Sequence, residues 1–126
     1  MSIQRMRISS GAIAAAGTAT AYSTLISGRI MCVHINYPAN VCEVDLDTYG
    51  ENVSQKIMDV ASGSRDIVYY PRVQLVDNTG ANLDTSDAQG GDVKKYGEFV
   101  VNGKIKLSIA AGTAAQIVTV DVIYEN

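Results

Sequence analysis

Hydrophobic and polar residues alternate most regularly in the last third of the chain, a pattern typical of β-strands with one buried face. Near its middle stand Asn102 and Gly103, the dipeptide preferred in a two-residue type I′ turn, where both positions need φ > 0. Placing the turn there makes Val100 face Ile105 across an antiparallel pair. The pattern therefore predicts a β-hairpin with an apolar and a polar face. Two apolar residues fall on the polar face as exceptions: Phe99 and Val101.

A second apolar segment, Ile117–Tyr124, predicts the closing strand of the fold. Alternate residues of a strand point to the same face, so its valines at every second position share one face. Ile117 and Ile123 keep the opposite face partly apolar. We therefore expect this strand to lie in the centre of a sheet, covered on both sides.

Shorter β-rich segments recur between turn signals along the rest of the chain. They are Ile3–Ser9, Thr20–Ile26, Arg29–Tyr37, Val41–Leu46 and Asp66–Asp77. Val53–Val60 fits a helix or a strand, and we favour a strand. Pro71 marks an edge or a bulge, and Ala81–Asp92 is the longest candidate loop. Roughly seven to nine short strands at regular spacing predict an all-β fold, an antiparallel β-sandwich of jelly-roll-like type.

The beginning of the chain differs from the rest in charge and in side-chain size. Residues 1–42 contain three arginines and no acid, whereas all 13 acids follow them. Two explanations of this uneven charge distribution are open. One is chance, and the other is a basic segment that docks on an acidic body, its own or a neighbour's. Residues 1–20 are rich in Ala, Gly, Ser and Thr, and their own side chains are expected to bury little. We therefore predict an extended arm over 1–20, held by contacts with other subunits, and a sandwich domain over 21–126.

Composition argues against several classes of protein. A length of 126 residues suits one domain, and no apolar run is long enough for a membrane span. The absence of a basic stripe argues against nucleic-acid binding. The apolar stretch after Arg7 is mostly alanine broken by Ser and Gly, a weak signal peptide, so we expect no secretion and reduced thiols. Charged residues make up only 18%, which indicates that much of the surface meets other protein.

The single histidine, His34, is the first candidate for chemistry. Cys32 lies two residues before it on the same strand face, and Cys42 could come opposite. A Cys/His/Cys metal site would need a fourth ligand, and none is placed nearby. We favour two buried thiols and a core or interface histidine, and a Cys32–Cys42 disulfide is only geometrically conceivable. An enzymatic function would need a pocket that joins His34 to a carboxylate.

The acidic residues form two groups. Glu43, Asp45 and Asp47 share one strand face, where they are better explained as solubilising than as a glycosidase pair. Three further acids lie in the long loop without the spacing of an EF-hand and predict a solvated loop or a weak cation site. These are Asp84, Asp87 and Asp92. We predict no catalytic residue, no metal ligand and no cofactor.

From Gly28 onward, the order of elements resembles that of small β-sandwich structural proteins of tailed bacteriophages. The matching pieces are Tyr69–Val73, Asp77–Gly80, Tyr96–Leu107 and the closing strand. Such proteins are similar to capsid cement or decoration proteins, which sit on the major capsid shell, often as dimers or trimers. The resemblance implies a non-enzymatic virion protein, assembled in the bacterial host cytoplasm, that is homo-oligomeric and binds the major capsid protein or other virion proteins.

Other functions remain open beside this one. Neck, tail and fibre-base proteins share such sandwiches, and a glycan-binding sandwich would build an aromatic pocket from several tyrosines: Tyr22, Tyr37, Tyr49, Tyr69, Tyr70 and Tyr96. Tyrosine is enriched at protein contacts. We predict partner contacts at basic and apolar residues near the start of the chain and at tyrosines: Arg5, Arg7, Ile8, Ile13, Tyr22, Arg29, Tyr69 and Tyr70.

Overall fold

The computed structural model describes residues 2–63, 65–81, 84–86, 92–94 and 96–126, with the backbone alone at 84–86 and 92–94. It confirms the predicted all-β class, because the strands pair antiparallel and the described residues contain no helix. In this part of the chain there is accordingly no helix that could cross a membrane. The strands are β1 Ile3–Ser9, β2 Ala19–Tyr22, β3 Ile26–Asn36, β4 Cys42–Tyr49, β5 Lys56–Gly63, β6 Ile67–Tyr69, β7 Arg72–Gln74, β8 Asp84–Ser86, β9 Asp92–Lys94, β10 Tyr96–Ala110 and β11 Thr119–Glu125.

Nine of the described strands form one continuous hydrogen-bonded sheet, whose two parts, called sheet A and sheet B here, share β10. Sheet A has the order β1-β11-β3, and the other side of β3 pairs with β6 at one end and with the first half of β10 at the other. Sheet B has the order β2-β10-β4-β5 and uses the second half of β10. β7 pairs with the start of β10, and β8 pairs with β9. The arrangement is sandwich-like, with β10 joining the layers.

Because β10 is one continuous strand, the predicted hairpin at Asn102-Gly103 is wrong. Phe99–Gly103 pair with β3 in sheet A, and Lys104–Ala110 pair with β4 in sheet B. The two turn-like residues stand where the strand passes from one sheet to the other, as strands do at the corners of packed sheets. The inner face holds buried side chains at every second position on both sides of this point: Phe99, Val101, Ile105, Leu107 and Ile109.

A single hydrophobic core lies between the sheets. The inward valines of the closing strand are fully buried, as its alternation predicts: Val118, Val120 and Val122. β11 is central, between β1 and β3, which is also as predicted. The expected cover of its outer face is only partial, because Ile123 is half-buried and Ile117 is exposed.

The remaining predicted strands match the structure with small shifts. Ile3–Ser9 is β1, and the ambiguous segment contributes β5, so the preference for a strand is confirmed. The predicted interruption at Pro71 separates β6 from β7. The prediction of one long loop over Ala81–Asp92 is wrong in part, because it contains β8 and the first residue of β9, which pair with each other. Of its acids, Asp87 lies outside the described residues, as do the side chains of Asp84 and Asp92. The cation site considered there therefore stays a prediction.

Residues 3–20 are held by the chain itself. β1 pairs with β11 along its full length, and Ile8 and Ile13 are core residues. Backbone hydrogen bonds then join residues 10–17 to residues 112–118. Small residues make this close approach possible, since a Cβ on Gly112 would lie 2.9 Å from the Ile13 side chain. Most side chains of this segment are exposed, as expected, but Ile8 and Ile13 enter the core. The boundary at residue 20 and contacts with other subunits stay predictions.

Gly28 marks the closest approach of β3 to the end of β11, since a Cβ there would overlap the carbonyl oxygen of Glu125. We expect Gly28→Ala to lower the free energy of unfolding by about 2–4 kcal/mol, because the overlapped atom belongs to the backbone. Gly50→Ala is the control: it also has a positive φ, but nothing lies within 4 Å of its Cβ. It should cost about 1–2 kcal/mol, the penalty of a left-handed backbone for a residue with a Cβ. Urea denaturation measures both, and equal losses would contradict the steric explanation.

Candidate interaction surfaces

The outer face of sheet A brings several predicted contact residues together. Strand register aligns Arg7 of β1, Asp121 of β11, His34 of β3 and Val68 of β6 in one row across the sheet. Parallel rows lie on either side. We call this surface face A, and it consists of the odd-numbered residues of β1 and β11 together with Arg29, Met31, Cys32, His34, Asn36, Val68 and Val100.

Ion pairs cross face A and neutralise much of its charge. Arg7 donates hydrogen bonds of 2.8 and 3.1 Å to the two carboxylate oxygens of Asp121. Arg29 bridges Glu98, at 2.6 Å, and Glu125. These hydrogen bonds raise the pKa of both guanidinium groups and lower the pKa values of Asp121 and Glu98. The predicted docking of basic residues on an acidic body thus occurs within the chain.

Between these ion pairs, apolar side chains are open to solvent. Ile3, Tyr70 and Val100 are 65%, 65% and 61% exposed. A groove of about 290 Å³ is lined by Ile3 and Tyr70 together with Met31 and Ile123. Single exposed apolar residues are normal on a soluble protein, whereas a group on one face indicates a contact surface.

A bulge in β3 shapes the centre of face A. Met31 is the extra residue in the pairing of β3 with β11, so Met31 and Cys32 both point outward between buried Ile30 and Val33. The sequence pattern could not reveal this bulge, because it is defined only by the partner strand. It adds one outward side chain to this part of the surface.

Cys32 and His34 share face A, as predicted, with 3.7 Å between Sγ and Nε2. Cys42 is buried in the core instead, and both cysteines are free thiols. The expectation of two buried thiols is therefore wrong for Cys32, which is half-buried. The described residues contain no group of three or more His, Cys, Asp or Glu placed to hold a metal ion.

A second groove on face A, of about 490 Å³, joins His34 to two carboxylates, Asp66 and Asp121. This is the arrangement that an enzymatic function would need. Asp121, however, is held by both hydrogen bonds from Arg7. β3 is paired on both sides at His34, so its N–H groups serve the ladders and cannot stabilise an oxyanion. Asp66 likewise accepts hydrogen bonds from the Asn36 side chain and the Tyr37 N–H, so both carboxylates of this groove are already hydrogen-bonded.

The predicted contact residues divide between the surface and the interior. Face A contains the three arginines, and Tyr70 borders it in the groove described above. Tyr22 is exposed on sheet B. The other three offer little surface in this fold, because two are core residues and one packs against the core: Ile8, Ile13 and Tyr69.

A second group of exposed apolar residues lies at the end of the sandwich where β2 and β4 end. The rings of Tyr22 and Tyr49 lie 4.7 Å apart, inclined at 50°, and both side chains are about half exposed. Leu25 is 75% exposed and lines a groove of about 390 Å³ with Tyr49. We call these three residues the tyrosine patch.

The six tyrosines considered for a glycan pocket do not converge. Two form the tyrosine patch, whereas Tyr37 is buried and Tyr69 packs against the core. Tyr70 lies at face A, and Tyr96 pairs with Gln74 at the start of β10. Tyr37 also explains why residue 63 is a glycine, since a Cβ on Gly63 would overlap the tyrosine ring.

The outer face of sheet B carries acidic residues beside a lysine. The acids of β4 alternate with buried residues, as predicted. Lys56 lies 3.1 Å from Asp47 and 3.9 Å from Asp45, and Asp59 stands opposite Asp45 in the ladder. Burial raises the pKa of Asp45, and the neighbouring Asp59 adds to the effect.

Because its pKa is raised on folding, ionised Asp45 costs stability, and this cost appears as the pH rises above the ordinary pKa near 3.8. We expect Asp45→Asn to raise the thermal midpoint at neutral pH, with a gain that disappears below about pH 4. Differential scanning calorimetry measures it. Asp47→Asn is the matched control and should give no gain, since it removes the closer contact with Lys56. A lower midpoint for Asp45→Asn at neutral pH would show that the lysine contact outweighs the burial.

Comparison with known protein families, with curated proteins and with solved structures finds no match to this chain. Face A and the tyrosine patch are therefore the basis for the function considered next.

Proposed function

We propose that this protein is a non-enzymatic structural component of a virion, a capsid cement or decoration protein that binds and stabilises the major capsid shell. One structural observation supports the proposal: several exposed apolar side chains lie together on each of two surfaces, face A and the tyrosine patch. A protein that acts by attachment needs such surfaces. The resemblance from Gly28 onward is the reason for proposing a virion, and the position on the shell is part of the proposal.

Two surfaces suit two kinds of partner. A cement protein contacts copies of itself and also the shell, and a few weak contacts per subunit become strong when they are repeated over the shell. We assign the tyrosine patch to the shell. Its tyrosines belong to a residue type that is enriched at protein contacts, and Leu25 protrudes beside them.

Face A is the better candidate for contact between copies. On or beside it the structure describes four arginines and four carboxylates, so two such faces meet without a large net charge: Arg5, Arg7, Arg29, Arg72, Asp66, Glu98, Asp121 and Glu125. Exposed Val100 and Ile3 would be buried by such contact. The tyrosine patch stays free when face A is covered, because it lies at the end of the sandwich.

The proposal is tested by mixing the purified protein with expanded capsids that lack it. We expect co-sedimentation with the capsids and an increased resistance of the capsids to heat. Purified protein with no affinity for expanded capsids would overturn the capsid assignment. Binding to isolated tails or necks instead would move the protein to those parts of the virion, and saturable binding on a glycan array would favour the glycan-binding alternative.

Leu25→Asp tests the tyrosine patch, because it places a charge at the most exposed apolar residue of that surface. We expect capsid affinity to fall by at least roughly tenfold with the fold unchanged. Val41→Asp is the matched control: Val41 is also exposed, at 53%, but it lies in the β3–β4 connection at the other end of the sandwich. Equal losses of affinity in the two variants would contradict the assignment of the patch to the shell.

A further inference from the structure

We propose that face A binds a zinc ion between two copies of the chain, with Cys32 and His34 of each copy as the ligands. The inference goes beyond the function proposed above and does not depend on a capsid. It rests on the distance between these two side chains, on their direction and on the number of ligands that one chain can supply.

The distance matches a shared tetrahedral metal. Zinc binds thiolate sulfur at about 2.3 Å and imidazole nitrogen at about 2.0–2.1 Å, so two such ligands at a tetrahedral angle lie roughly 3.6 Å apart. The Sγ of Cys32 and the Nε2 of His34 are 3.7 Å apart. Without a metal, the same separation is a weak hydrogen bond between thiol and imidazole. Little movement therefore separates the metal-free pair from a bound one.

Both side chains point away from the core. They alternate along β3 with the buried residues Val33 and Ile35, and each is half-buried in a groove of face A. Asp121 stands directly opposite His34 in the ladder and faces the same side of the sheet. Asp121 is hydrogen-bonded to Arg7 through both carboxylate oxygens, so it is not counted among the ligands.

One chain supplies only half of a closed structural site. Zinc in such sites takes four protein ligands, and Cys₂His₂ is one of the usual sets. Among the described residues no third ligand joins Cys32 and His34. A second copy related by a two-fold axis would present the same pair and complete the set. The charges also balance, because two thiolates neutralise one Zn²⁺.

The surroundings of the pair fit burial between two copies. Met31 and Ile123 flank Cys32, and Tyr70 stands beside them in the same groove. Two of the arginines of face A are already paired, Arg7 with Asp121 and Arg29 with two glutamates. Contact between two copies would therefore remove apolar area from water without stranding an unpaired acid at the metal.

The test uses the full chain, reduced and freed of metal by a chelator, and titrates it with zinc under sedimentation velocity. We expect zinc to tighten association of two chains by at least roughly tenfold, with one ion per dimer and reversal by chelator. Cobalt(II) in place of zinc should give the near-ultraviolet band of a thiolate–cobalt bond. An association state that does not respond to zinc, or a cobalt–thiolate band on a chain that stays monomeric, would overturn the proposal.

Two variants locate the site. Cys32→Ser and His34→Gln should each abolish the zinc response and weaken or remove the cobalt band, while circular dichroism stays unchanged because both side chains face outward. Cys42→Ala is the control, since it removes the only other cysteine, and it should keep both signals. Loss of the band in Cys42→Ala with retention in Cys32→Ser would also overturn the proposal. If the protein does not bind capsids but still forms the zinc dimer, the proposed attachment to the shell is wrong and the zinc proposal stands.

Discussion

The fold depends on the backbone pairing of β10 to both sheets. Over its first half this strand completes sheet A beside β3, and over its second half it stands between β2 and β4 in sheet B. Every inner residue of the strand therefore contributes to the same core, from Phe99 to Ile109. The first half of β10 contributes Val100 to face A, and the second half pairs with β2 and β4, the strands that end at Tyr22 and Tyr49 of the tyrosine patch.

At Asn102-Gly103 the turn preference of the dipeptide predicts a hairpin, whereas the spacing of the apolar residues fits a continuous strand. The apolar spacing decides the outcome. A two-residue hairpin would place Phe99 and Val101 on the face opposite to Ile105, whereas they are in phase with it along a continuous strand. Phe99 and Val101, the two apolar residues on the polar face of the predicted hairpin, are thus the sequence feature that argues against the hairpin. Burial of their side chains outweighs the preference of Asn-Gly for a turn, which is a weak local effect. β11 has no such conflict, and the alternation of its apolar residues is sufficient to predict its buried face.

The surfaces were only partly predictable, for a related reason. Period-two alternation placed Cys32 and His34 on one face of their strand, and the unequal charge distribution anticipated Arg7 on an acid. The row from Arg7 through Asp121 to His34 needs the register of strands far apart in sequence, which no local pattern contains. The sequence predicts contact residues at Ile8 and Ile13, because their small neighbours indicate a loose arm. Those neighbours instead allow two backbones to approach closely.

The order of strands in sheet A also constrains how the chain folds. β11 follows every other described strand in sequence, yet it lies between β1 and β3. During synthesis, β1 therefore has no ladder partner until β11 has left the ribosome. The pairing within sheet A can be completed only at this late stage. Such long-range pairing makes folding slow and leaves strand edges open in the meantime. Arg5 and Arg7 lie on β1, and charged side chains on an unpaired strand disfavour its pairing with the wrong strand.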